Sequence, residues 1–294
     1  MIGEYIELSN GIEGGAAVSI GNLPEIGVKK NLAKYKATIV ARNNEVCTIE
    51  GSIQKNNYET VANFGNEVYT IKSYGQNNTI DQVKAAVGVI GGLLKGSVKD
   101  TITSVAPQIY DQSGNMIGKC EVLWGGTGSN KFLYGKYIIN NNNLYAYELS
   151  PNTTEILYCI YNDQNQMVAT ISRAMKISHG HARYTIYSCN DAWFKYVALI
   201  TACWALAHTE EDGGPGSYQK KAAGTLIPEL HEKYNPTFID QVKQKEGIHN
   251  LPENMQLVKE KIKESKKGAD MKLYMIIVIV VIIGLAFIFL GAFK

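Results

Sequence analysis

Two histidines one residue apart, His179 and His181, are the nearest this chain comes to a metal site. On a strand, residues i and i+2 project to the same face, so the pair could share a divalent cation. Cys189 lies eight residues on, but no third and fourth ligand stands at a recognisable spacing. The stretch therefore reads as a polar hairpin with exposed imidazoles. His208, Glu210, Glu211 and Asp212 form a second cluster. It reads as a histidine at a helix C-terminus followed by a solvated acidic loop. Gly125-Gly126-Thr127-Gly128-Ser129-Asn130-Lys131 lightly echoes a phosphate loop. A phosphate loop needs Gly-x4-Gly-Lys-Ser/Thr and then a helix, whereas Phe132-Leu133-Tyr134-Gly135-Lys136-Tyr137 has strand character. Serine, cysteine and histidine fall in no nucleophile-elbow or triad order. The expectation is a protein that is not an enzyme and takes no metal and no cofactor.

The elements that would position these residues are short alternating segments rich in Tyr, Ile, Val and Thr. They run over 35–42, 46–53, 67–74, 116–124, 131–139, 143–149, 155–161, 167–173 and 183–189. Asn, Gly and Asp bound them, and Asp111 to Asn115, Asn140 to Asn143 and Asn162 to Asn165 carry hairpin turn chemistry. Such a series implies an antiparallel sheet, closed or sandwiched. Two helical stretches interrupt it. Asp81 to Lys99 repeats glycine at 88, 92 and 96 on one helical face. It is either a connecting helix packed on the barrel or a flexible loop, or a membrane-surface or re-entrant helix. Asp191 to His208, with Asp191 as N-cap, is apolar on nearly every face past Lys195. A helix of that kind must be enclosed on all sides, and a barrel around it would do so.

The five cysteines are an odd number and widely spaced, which is no disulfide framework. The formal net charge of +2 gives no case for nucleic acid. The start, Met1-Ile2-Gly3-Glu4-Tyr5-Ile6-Glu7, has neither a basic n-region nor an apolar h-region.

Leu273 to Phe293 contains no charged residue and is almost wholly apolar. As a helix of about 21 residues it would span about 30 Å, the thickness of a bilayer's hydrocarbon core. Lys259, Lys261, Lys263, Lys266, Lys267 and Lys272 precede it, a bias that places the preceding body on the cytoplasmic side. Between body and tail, residues 209–235 begin with a Gly/Pro-rich polar linker. Residues 236–271 carry two short helices, starting near Pro236 and Pro252. Met255, Val258 and Ile262 keep a helical spacing with lysines opposite. That face suits a stalk on lipid headgroups, or a solvated connector.

Two units, Tyr110-Asp111-Gln112-Ser113-Gly114-Asn115-Met116-Ile117-Gly118-Lys119 and Tyr161 to Arg173, precede Ala182 to Tyr187 and the apolar helix at Asp191. In that order they resemble the tubby C-terminal-like superfamily, which includes phospholipid scramblases and LURP-one-related proteins. The resemblance covers roughly residues 108–208 and implies an α+β fold. Its antiparallel β-barrel would have about twelve strands around a central hydrophobic helix, and the apolar tail would add a C-terminal transmembrane helix. No cysteine cluster for palmitoylation and no Asp-x-Asp-x-Asp-Gly calcium loop is present, so scrambling activity is carried to no residue here. The expected organisation is a β-rich domain over 1–208, a linker over 209–235, a juxtamembrane stalk over 236–271 and an anchor over 272–294. The expected function is a tail-anchored, single-pass protein that binds lipid headgroups or a protein partner at the membrane surface. A membrane-tethered scaffold without lipid recognition is the alternative, and a scramblase the less favoured one. Candidate lipid-binding residues are Lys131, Lys136, Arg173, Lys176, Arg183, Lys263, Lys266 and Lys267.

Overall fold

A computed structural model describes residues 1–13, 32–54, 57–73, 107–127, 132–149, 155–174, 183–208, 228–267, 278, 281 and 282. Its strands are β1 (Ile2–Glu13), β2 (Leu32–Ala41), β3 (Asn44–Gln54), β4 (Asn57–Asn63), β5 (Val68–Ser73) and β6 (Gln108–Tyr110). They continue as β7 (Met116–Gly125), β8 (Phe132–Ile139), β9 (Asn142–Leu149), β10 (Glu155–Asn162), β11 (Met167–Ala174) and β12 (Arg183–Ser188). The twelve close into one barrel in which each strand pairs antiparallel with its neighbour in sequence, and β12 returns to β1. Closure leaves no free sheet edge, so every strand has a partner on both sides.

Nine strands fall where alternation places them. The three others, β1, β4 and β6, are additions. β6 has three residues, too few for a period to show. β1 carries Gly3 and Tyr5 toward the core and Ile2, Ile6 and Leu8 toward a second packing layer, so it is apolar on both faces.

One end of the barrel, the turn end, is built from tight connections. Arg42 and Asn43 have φ of 47° and 59°, and Asn140 and Asn141 have 47° and 63°. That is the primed geometry that matches strand twist across a two-residue hairpin. Asp111 Oδ1 accepts from the backbone N–H groups of Ser113 and Asn115, and Gly114 takes φ of 81°. Asn162 Oδ1 does the same for Gln164 and Gln166. At the opposite end, here the far end, β1 finishes at Glu13 and β2 begins at Leu32, which pair with each other.

Helix α1 (Asp191–His208) starts at the turn end, directly after β12. Phe194, Val197, Ala198, Leu199, Ile200, Ala202, Cys203, Trp204 and Ala205 are all buried. They belong to one apolar cluster with residues from all twelve strands, among them Tyr5, Ile39, Ile49, Ala62, Ile71 and Ile109. Cys120, Ile139, Leu144, Tyr158, Ile171 and Tyr184 continue it. Contact with β1 requires glycine: a Cβ on Gly3 would lie 2.5 Å from the Phe194 ring. Thr201 sits in this apolar setting because its hydroxyl donates back to the Val197 carbonyl at 2.7 Å. No described helix is long and apolar enough to cross a membrane.

Among the described residues up to 267, three further α-helices follow, α2 (Pro228–His231), α3 (Phe238–Glu246) and α4 (residues 256–267). The two helices expected from Pro236 and Pro252 start a few residues later, because residues 251–254 form a turn before α4. All three pack on the barrel's outside. Leu230 lies against Leu149, Leu157, Cys159 and Tyr161. Phe238 and Val242 lie against Ile2 and Tyr187. Met255 and Val258 lie against Ile6, Leu8 and Val40, with Leu257 and Ile262 beside them. The docked region thus reaches back into the linker expected over 209–235.

All five cysteines are free thiols, and Cys47, Cys120, Cys159 and Cys203 are buried. Burial raises each of the four thiols, to about 12 at Cys120 and Cys159. Cys189 is half-buried, and its thiol is raised less. A water-soluble maleimide is therefore expected to modify the native protein at Cys189 alone, and all five positions only after denaturation. Mass spectrometry of the labelled peptides reads this, and rapid native labelling of Cys203 would contradict the packing of α1.

Candidate functional site

α4 gathers chemistry because it joins an apolar seam to a row of cations. Its seam is fixed by polar contacts along its length. Asn43 Oδ1 accepts from the Leu257 N–H at 2.9 Å, and the Asn43 N–H points to the Met255 sulfur at 3.1 Å. Lys261 pairs with Glu45 at 3.1 Å, and the Ser265 hydroxyl donates to the Glu7 carbonyl at 2.7 Å. These partners progress from the β2–β3 turn to the middle of β1, so α4 runs the way β1 runs, from the turn end toward the far end. Lys263, Lys266 and Lys267 stand exposed on its other side. The apolar face that the sequence offers to headgroups is instead spent on β1 and β2. Met255 and Val258 are each 1 % exposed.

The sequence-chosen cations do not form one patch. Lys131 and Lys176 lie outside the described residues. Lys136 points outward from β8, with its ammonium 5.8 Å from the Tyr145 ring centroid. Arg183, at the far end of β12, is exposed and holds Glu4 through Nε at 3.1 Å and Nη2 at 2.6 Å. The Thr185 hydroxyl donates to the same carboxylate at 2.8 Å. Burial raises the Glu4 carboxyl, against the lowering pull of Arg183 and Thr185.

Arg173, expected at the surface, is a correction. It is 2 % exposed, and its guanidinium stands 5.5 Å from the Tyr184 ring centroid. The two-residue period of a strand decides this: Ile171, two positions earlier, is a core residue, so Arg173 shares its face. Around Arg173 the core is unusually aromatic. Tyr184 meets Tyr5 edge-on at 5.4 Å and Trp204 at 5.2 Å, and Trp204 stacks on Tyr158 at 4.7 Å. The Trp204 indole N–H donates to Glu148 at 2.8 Å. This buried set anchors α1 to β1, β9, β10 and β12, and none of the sequence reasoning found it.

At the turn end, one arginine joins three elements. Arg42 donates to both carboxylate oxygens of Asp191, at 2.7 and 3.0 Å, and to both of Glu246, at 3.0 and 2.8 Å. The β2–β3 turn, the start of α1 and the end of α3 are thereby tied together. Hydrogen bonding from Arg42 holds the Glu246 carboxyl below its ordinary value. A depressed carboxyl contributes stability that is complete above its unfolded-state value and is lost as pH falls through the folded one. Wild type is thus expected to lose more thermal stability than Glu246→Gln on acidification from pH 7 to about pH 3. Glu45 and Glu67, also held low, are common to both proteins, so the difference isolates Glu246. Melting curves at matched ionic strength read it.

The catalytic alternatives fare as follows. His179, His181 and the acidic cluster at Glu210, Glu211 and Asp212 lie outside the described residues. Among the described residues no group of three or more His, Cys, Asp or Glu side chains could hold a metal ion. Gly125 ends β7 and pairs with Phe132 of β8, so strand follows the glycine-rich stretch. Compared with known proteins, the chain matches no family model, no curated protein and no solved structure, and the resemblance to the tubby-like superfamily draws no support from them.

Proposed function

We propose that this chain is a tail-anchored membrane protein whose barrel works at the lipid surface as a binding module for anionic headgroups. The observation that carries the reading is the placement of α4. It is clamped on β1 and β2 by a buried apolar seam, and it ends six residues before the apolar run that starts at Leu273. Any lipid engagement by that run brings the folded body to the surface with it. The run itself, Leu273 to Phe293, lies outside the described residues except at three positions. Val278, Val281 and Ile282 are helical, the last two 53 % and 59 % exposed. On a membrane-spanning helix such side chains would face lipid.

In this reading α1 runs inside the barrel, sharing a core with every strand, and is not itself the membrane element. A barrel built around an apolar helix is what the resemblance to the tubby-like superfamily implies, and the shared core supports it. In this reading the body faces the cytoplasm, because lysines crowd the near side of the tail. Lys263, Lys266 and Lys267 supply positive charge beside the anchor, each worth roughly 1 kcal/mol near an anionic surface.

Residues 1–267, without the tail, test headgroup binding. They are expected to sediment with vesicles containing phosphatidylserine and to be released as salt rises, since screening shortens the reach of these charges. They are expected to stay in solution with phosphatidylcholine alone. No sedimentation with either vesicle would leave the barrel as a tethered scaffold for protein partners.

A further inference from the structure

The docking of α4 does more than bring the body near lipid: it fixes which way the body faces. We propose that the barrel stands on the bilayer with its far end down, the turn end pointing away. In that orientation Lys34, Arg183, Lys263, Lys266 and Lys267 face anionic headgroups. This rests on the reading of the tail as a lipid anchor.

Three observations carry it. First, the direction of α4 is set by contacts at both of its ends, Asn43 at the turn end and Glu7 midway along β1. Second, the chain length leaves almost no slack for the reverse. From Met255 to Lys267 the helix advances about 18 Å toward the far end. The six steps from Lys267 to Leu273 reach at most about 20 Å when fully extended. To set the tail beside the turn end, the chain would have to double back on itself, taut, along the whole of α4. Third, the outer wall of β1 and β12 beside the turn end is already occupied. α3 packs there, with Glu246 on Arg42 and the Lys245 ammonium on the Cys189 carbonyl at 3.0 Å.

The strand register then gathers the cations around α4. Arg183 pairs opposite Ile6, whose side chain lies under α4, and so flanks the helix on the β12 side. Lys34 pairs opposite Gly11, beyond the last contact of α4, and so stands nearer the far end on the β2 side. Lys34 and Arg183 are both exposed. Lys263, Lys266 and Lys267 occupy the last two turns of the helix itself. A tether of free chain would let the barrel tumble, whereas a docked helix with cations on both flanks holds one pose.

The test uses the full chain in phosphatidylcholine vesicles containing phosphatidylserine and a headgroup-linked energy-transfer acceptor. A donor dye is placed by Glu59→Cys, two residues from the far end of β4, or by Ser113→Cys, at a turn-end hairpin tip, each in a Cys189→Ser background. Both sites are exposed, so neither substitution disturbs the core. Glu59 lies level with Gln108 through Lys72, so the two positions are separated by roughly 13 Å along the barrel axis, given the strand rise and tilt. Transfer from position 59 is expected to exceed transfer from position 113 by about twofold. Adding Met255→Asp and Val258→Asp, which undocks α4, is expected to bring the two efficiencies together. Equal transfer from the two sites in the undisturbed protein, or stronger transfer from position 113, overturns the orientation while leaving the anchor standing. Failure of the full chain to float with the vesicles overturns the anchor, and the orientation with it.

Discussion

Trp204→Ala is expected to lower the unfolding free energy of the barrel by about 3–5 kcal/mol, the range for emptying a large aromatic from a packed core. The indole is 3 % exposed, stacks on Tyr158 with an interplanar angle of 14° and meets Tyr184 edge-on. Its removal also takes away the N–H that donates to Glu148. Trp204→Phe keeps most of the ring area and loses only the N–H, so it is expected to cost less than half as much. Urea unfolding followed by circular dichroism ranks the two. The same loss in both variants would mean that the hydrogen bond, not the packing of α1, dominates at this position.

Alkaline carbonate is expected to leave the full-length chain in the membrane pellet and to release residues 1–267 completely. A helix with about 21 apolar residues in hydrocarbon is held far more firmly than any set of surface charges. Release is therefore all or none with the tail, whereas changing Lys263, Lys266 and Lys267 to Gln in the full chain leaves the pellet unchanged. Extraction of the full-length chain at high pH would reduce the tail to a surface association.

How far these features were legible in the sequence depends on how many faces each element buries. β5 and β12 alternate cleanly, and segments there were found from the pattern alone. β1 is hidden because α3 and α4 cover its outer face. Ile2, Ile6 and Leu8 face outward as Tyr5 faces inward, so the period of two disappears. β10 shows the complementary case. It is buried on both faces beneath α2, yet its Tyr- and Ile-rich composition between turn residues still marks it as strand. For α4 the spacing of Met255, Val258 and Ile262 announced an apolar face, but a face says only that something covers it. Headgroups and a neighbouring strand pair look alike from one dimension, and the strand pair involved, β1 with β2, includes the strand that was missed.

Charge was the least legible property. Arg173 and Arg183 are ten residues apart on adjacent strands. One is buried against Tyr184, and the other is exposed beside Glu4. Parity along β11 would have separated them, since Ile171 and Arg173 share a face, but arginine was taken as a surface residue by type. The Arg42 contacts were out of reach altogether. Asp191 and Glu246 lie 149 and 204 residues away in sequence, and only closure of the barrel brings them to one guanidinium.

One measurement separates α1 from the apolar tail in their relation to lipid. The full-length chain, in vesicles, is exposed to a photoactivated carbene reagent that partitions into the hydrocarbon phase, and the modified peptides are mapped by mass spectrometry. Two segments compete for the reagent, because residues 191–208 and 273–293 are both apolar enough to receive it from lipid. Modification confined to 273–293, with 191–208 untouched, is the result expected when strands sheathe the first and hydrocarbon surrounds the second. Modification within 191–208 would place that helix in the bilayer and contradict the account at its root.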